Sequence, residues 1–113
     1  MAENVTTLRV WFDRFAAATG EQITHVVFAV DEWAWARTHW PEVVNDQLVP
    51  LDLLPESLLD RPFDPGFGGN NSPDMCAWSP SWVIFSDNYD GAECLQWIPR
   101  HPKAHQPIRP GGG

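Results

Sequence analysis

Eleven prolines and eight glycines interrupt a chain of 113 residues. Proline lacks the backbone N–H and clashes inside a helix, and glycine loses the most conformational freedom on ordering. A chain punctuated this way builds short elements joined by turns, not long helices. A hydrophobic content of 43% still provides a real core within one domain of common size. Residues 1–99 are read as that domain, and the Pro/Gly-rich, basic stretch 100–113 as an extended, flexible tail.

Residues 7–19 carry the clearest helical period. Leu8, Trp11, Phe12 and Phe15 fall at i, i+3, i+4 and i+7, giving one apolar face. Thr6 or Thr7 can cap the start and Gly20 supplies the stop. Residues 23–30 are β-branched and apolar on both alternating faces, which suits an interior strand. The stretch 31–62 reads two ways: Trp33 and Trp35 alternate as in a strand, whereas Trp33, Ala36 and Trp40 fit a helical stripe. Within it, 41–44 reads as a short helical turn, 48–54 as extended chain and 55–59 as one turn of helix.

Residues 62–74 are a loop on composition. Strands follow at 75–78, 81–85 and 94–98, the last two flanking a five-residue hairpin loop at 87–91. The expected architecture is α+β: an N-terminal helix packed on a small antiparallel β-sheet, with a C-terminal β-hairpin and an extended tail. The second face of that sheet is either covered by 31–62 or is a binding surface.

The net charge is −8, and all 15 acidic residues lie in 1–99, offset there by Arg9, Arg14, Arg37 and Arg61 alone. Nucleic-acid affinity comes mostly from Lys and Arg, so direct nucleic-acid binding is not expected, nor attraction to an anionic membrane. The acidic body keeps an aromatic-rich chain soluble; it could also meet a basic protein surface, including one that holds DNA. Met-Ala-Glu-Asn at the start carries no secretory pattern, no apolar run approaches a membrane span, and two cysteines make no disulfide framework. These features predict a cytoplasmic protein with free thiols.

No pattern of catalytic residues stands out. The glycine-rich loop at 63–71 lacks the Lys and Ser/Thr of a nucleotide site, and Asp64 would repel a phosphate. Asp87, Asp90 and Glu93 crowd a hairpin, where turn chemistry accounts for them better than an acid/base pair does. His101 and His105 have ligand spacing only on a helix, which Pro102 opposes. Cys76 and Cys94 have no histidine that sequence alone can place beside them. The chain is therefore read as a non-enzyme, with no metal and no cofactor.

Seven tryptophans remain to be explained. Trp11, Trp78, Trp82 and Trp97 are assigned to the core. Trp33, Trp35 and Trp40, interleaved with Asp31, Glu32, Arg37 and His39, have the composition of a contact patch, large aromatics rimmed by charge. Asp64, Phe67, Asn70 and Asn71 in the loop, and Tyr89 at the hairpin tip, complete the candidate binding residues.

The runs Pro62-Phe-Asp-Pro-Gly-Phe-Gly-Gly, Ala77-Trp-Ser-Pro-Ser-Trp-Val-Ile-Phe, Tyr89-Asp-Gly and Gln96-Trp-Ile-Pro-Arg-His-Pro resemble small accessory proteins of actinobacterial bacteriophages, over roughly the C-terminal half. The resemblance implies a context: a phage protein in the host cytoplasm that binds and modulates a host protein. Self-association as a homodimer is the other partner expectation. The alternatives are a DNA mimic that occupies a nucleic-acid-binding or defence protein, and a small-molecule-sequestering protein with a Trp-lined pocket.

Overall fold

The computed structural model describes residues 5–32, 35–66, 71–89 and 92–109, with Tyr89 described by its backbone alone. Helix α1 spans Leu8–Thr19 and buries Leu8, Trp11, Phe12 and Phe15, the four positions its spacing predicts. Thr7 caps it, its hydroxyl oxygen accepting from the Val10 N–H at 3.1 Å. Gly20, at φ 79°, ends it in the left-handed region, its N–H reaching the Ala16 carbonyl at 2.8 Å. A Cβ there would force a strained backbone, so glycine is the natural stop.

Five strands follow: β1 His25–Ala29, β2 Leu48–Pro50, β3 Asp74–Trp78, β4 Trp82–Tyr89 and β5 Ala92–Pro99. They form one sheet in the order β2-β1-β3-β4-β5, every neighbouring pair antiparallel. The fold is α+β. The final hairpin is longer than its sequence implies. Pairing continues from Trp82↔Pro99 to Tyr89↔Ala92, so residues 87–89 belong to β4 and not to the expected five-residue loop; positions 90 and 91 lie outside the described residues. Polar Asp87 and Asn88 read as turn residues, yet tertiary pairing holds them in the ladder.

Both border strands are guarded. β2 has three residues and closes on Pro50. On β5 the Glu93 N–H is taken by the Pro65 carbonyl, and Pro99 has no N–H to offer.

The ambiguous stretch resolves into helix α2, Trp35–His39, and helix α3, Glu56–Leu59, with a 3₁₀ turn at Leu51–Leu53. Residues 41–44 are a turn and not the expected helical segment. The Arg37 guanidinium takes the Trp40 and Val43 carbonyls at 3.4 and 2.7 Å, the acceptors a continuing helix would have used. Asn45 fastens the far side, its side chain bonding both the N–H and the carbonyl of Val30.

Strand alternation sorts the sheet into two faces. The row Val49–Val26–Ala77–Ile84–Trp97 follows from the register. Phe28 and Met75 share that face. Val26, Phe28, Met75, Ala77 and Ile84 join one core with Leu8, Trp11, Phe12 and Phe15 of α1, Trp40, and Leu58 and Leu59 of α3. Phe63 sits among them, its ring 5.1 Å from Trp11 and 5.6 Å from Trp40. Phe15 meets the Trp97 ring edge-on at 5.2 Å. The 31–62 segment therefore shares the side that α1 occupies.

The tail does not begin free at residue 100. The Arg100 N–H extends the hairpin ladder to the Ser81 carbonyl, its guanidinium reaches the Ser79 carbonyl at 3.0 Å, and the Lys103 ammonium lies 5.0 Å from the Trp82 ring centre.

Candidate functional site

With α1 and α3 packed on one side, the other side of the sheet has no buried helix against it among the described residues; α2 touches only its margin, where Ala36 lines a small pocket with Ala29 and Asp74. Its side chains follow from the same register. One row is Pro50–His25–Trp78–Val83–Ile98, and the next is Leu48–Val27–Cys76–Phe85–Gln96. Beyond these stand Ala29, Asp74, Asp87 and Cys94. None of the large apolar members belongs to the core or packs against it. Val27, Cys76, Trp78, Val83, Phe85 and Ile98 are all half-buried, as neighbours in a sheet shield one another, and Leu48 is 57% exposed. A contiguous apolar sheet face of this kind is the candidate contact surface. Trp78 was expected in the core; the register turns it onto the opposite side.

The face is zoned. At the end where β1 begins and β5 finishes, Thr24, His25, Leu48, Trp78 and Arg100 line an open groove of ≈ 380 Å³. Thr24 closes its floor, its hydroxyl donating to the Trp78 carbonyl at 3.1 Å. At the opposite end stand Asp74 and, two positions past Ala29, Asp31. Desolvation by the sheet, and then the neighbouring Asp31 charge, push the Asp74 carboxyl up. No cation is paired with either carboxylate among the described residues. Between the two ends the surface is apolar except for Gln96 on β5.

The thiols on this face have the wrong character for a nucleophile. Desolvation pushes Cys76 up, and desolvation with the Asp87 charge pushes Cys94 up; a reactive cysteine needs the reverse.

The residues singled out from the sequence scatter. Trp40 is fully buried (0% exposed) and its indole N–H donates to the Asn71 carbonyl at 2.8 Å, so it is core and not part of a contact patch. Its ring fills the space between Phe63 and His39. Trp35 is 53% exposed and stacks on His39 at 4.5 Å between ring centres. Trp33, Phe67 and Asn70 lie outside the described residues, as does the Tyr89 side chain. Asp64 is a turn residue, a carboxylate oxygen accepting from the Gly66 N–H at 2.9 Å. Asn71 donates its side-chain N–H to the Asp64 carbonyl at 2.7 Å and its backbone N–H to Glu93 at 2.9 Å.

Glu93 escaped the sequence reading. Expected in a solvated turn, it is buried, and its carboxylate accepts from the backbone N–H groups of Asn71 and Ser72 and from the Ser72 hydroxyl. A buried carboxylate is tolerable when donors surround it. Here it latches the loop to β5 and is committed to structure.

The site thus defines a class: an α+β domain with one covered and one open sheet face. Compared with protein-family models, curated proteins and solved structures, the chain matches none. Among the described residues no group of three His, Cys, Asp or Glu is placed to hold a metal ion, and no helix is long and apolar enough to cross a membrane.

Proposed function

We propose that this protein is a non-catalytic binding module that acts stoichiometrically, with the open sheet face as its contact surface for another protein chain. The observation that carries the reading is the sidedness of the sheet. Helices α1 and α3 bury side chains in the core on one side, α2 packs Ala36 against it, and Val27, Cys76, Trp78, Val83, Phe85 and Ile98 are left on the other. Apolar surface of this extent costs solubility unless a partner covers it. In the setting its resemblance implies, that chain is a bacterial host protein or a second copy, met in the cytoplasm.

The DNA-mimic alternative has less support. Glu32, Glu42 and Asp60 are each paired with an arginine and Glu93 is buried, so these four cannot stand in a phosphate-like band. The groove beside Trp78 favours a small-molecule reading more, since an aromatic wall faces His25 and Arg100. A planar anionic ligand would quench Trp78 fluorescence there, and Trp78→Phe would abolish the signal.

The deciding experiment compares tagged full-length chain with Phe85→Glu, a change on the open face far from the helices. Both are used to capture untagged copies of the chain and proteins of an actinobacterial lysate. Loss of a captured chain in Phe85→Glu at unchanged thermal stability supports the reading. An identical set of captured chains overturns it.

A further inference from the structure

The groove beside Trp78 has a charge character of its own. In a chain of net charge −8, no described carboxylate lines it; its walls are Thr24, His25, Leu48, Trp78 and Arg100. The groove between α1 and α3 is rimmed instead by Asp13, Asp52 and Glu56, and the small pocket at the other end of the open face by Asp31 and Asp74. At ≈ 380 Å³ the Trp78 groove has the size of a small-molecule site. Resting on the small-molecule reading of this groove, we propose that it takes a flat bicyclic heteroaromatic ring that carries an anionic group on one edge and an N–H or O–H donor on the other.

Each wall supplies one part of that recognition. The register sets Trp78 of β3 directly beside His25 of β1, one strand spacing of about 4.8 Å away. The half-buried indole offers a ring face on which another ring can stack. From the opposite side, beyond β4, Arg100 reaches back to the 79–81 connection. Its backbone N–H is held by the Ser81 carbonyl and one guanidinium nitrogen by the Ser79 carbonyl at 3.0 Å, so the arm is anchored before a ligand arrives. No carboxylate is paired with it among the described residues, which leaves the other donors of the fork for an anion.

His25 is held by hydrogen bonds that fix its tautomer. The Thr24 hydroxyl directs its hydrogen to the Trp78 carbonyl. At its 3.1 Å contact with His25 Nδ1 it therefore accepts, and Nδ1 carries the proton. Nε2 of the neutral ring is then a bare acceptor, which requires a donor from whatever binds. A ring lying on Trp78 meets an acceptor toward β1 and a cation toward β5. That asymmetry selects a ligand with a donor and an anion on opposite edges, and disfavours one with either alone.

Isothermal titration calorimetry on the full chain with three probes tests this. Indole-5-carboxylate has the ring, the anion and the N–H; 1-methylindole-5-carboxylate lacks the donor, and indole lacks the anion. Indole-5-carboxylate is expected to bind with a Kd at or below about 100 µM, and each of the others at least about tenfold more weakly, the scale of one hydrogen bond to a charged or buried group. His25→Phe keeps a ring but removes the acceptor, and should erase the preference over the methylated probe. Arg100→Gln should erase the preference over indole. Thermal melts confirm that each variant folds; Thr24→Val, which frees the His25 tautomer, replaces His25→Phe if that variant does not, and should narrow the same preference. If no probe binds at about 1 mM, the small-molecule reading and the proposal both fall. If indole-5-carboxylate binds but the methylated probe or indole binds equally well, or the variants leave both preferences unchanged, the small-molecule reading stands and the proposal is overturned.

Discussion

The indole of Trp40 and the backbone of Asn71 are joined by a 2.8 Å hydrogen bond across the base of the core, so the segment after α2 and the loop before β3 are positioned by one side chain. Trp40→Ala removes that bond and leaves a cavity beside Phe63. Truncating a buried aromatic costs about 3–5 kcal/mol, a large part of a domain stability of about 5–15 kcal/mol. Chemical denaturation should show that loss, with Trp40→Phe intermediate between the two.

Trp35, five positions earlier, should behave differently. Its ring lies largely in solvent against His39, so Trp35→Ala is expected to shift stability by less than about 0.5 kcal/mol. A loss comparable to that of Trp40→Ala would show that the α2 surface is part of the fold.

Glu93 gathers two backbone N–H groups and one hydroxyl. Glu93→Ala strands those donors, each unmet buried group costing about 1–3 kcal/mol. Glu93→Gln retains an acceptor but places an amide N–H against a donor, so it should recover only part of the loss. Hydrogen exchange at Asn71 and Ser72 would report the loosened latch directly, with faster exchange in both variants.

Acid should weaken the fold through Glu42. The bidentate Arg61 contact, helped by the Ser57 hydroxyl, holds its carboxyl down to about 2 from an ordinary 4.5. A carboxyl depressed in the folded state stabilises above its unfolded value and loses that contribution as pH falls through the folded one. The loss therefore runs from about pH 4.5 down to about pH 2. Partial exposure of the pair limits it to roughly 1–2 kcal/mol. Stability measured against pH should be flatter in that window for Glu42→Gln than for the parent.

Cys76 and Cys94, both pushed up by desolvation, should alkylate slowly at neutral pH and faster as pH climbs toward and beyond the free-thiol value of about 8.5. Rapid modification at pH 7 would contradict the environment described for them.

Much of the fold was legible because local rules decide it. Four apolar residues at helical spacing, a threonine cap and a terminal glycine placed α1 almost to the residue, and β-branched runs located β1 and the final hairpin. The site was not legible, because it depends on which way a strand faces. Trp40 and Trp78 have the same chemistry; the register of β3 against β1 and β4 turns Trp78 away from the helices, and long-range partners, the Asn71 carbonyl and the Phe63 ring, hold Trp40 inward. The same limit hid Glu93, whose donors come from a loop 21 and 22 positions away. What sequence did supply was the alternative itself: if residues 31–62 left one side of the sheet bare, that side would be the surface to examine.

The guarded borders of the sheet bear on how much of this protein a cell can tolerate. Strands join end to end into fibres through long runs of unmet N–H and carbonyl groups. Here one margin is three residues closing on Pro50, and the other begins under the Pro65 carbonyl and stops at Pro99. Borders guarded in this way disfavour cross-β polymer, a property that the stoichiometric binding proposed above would require.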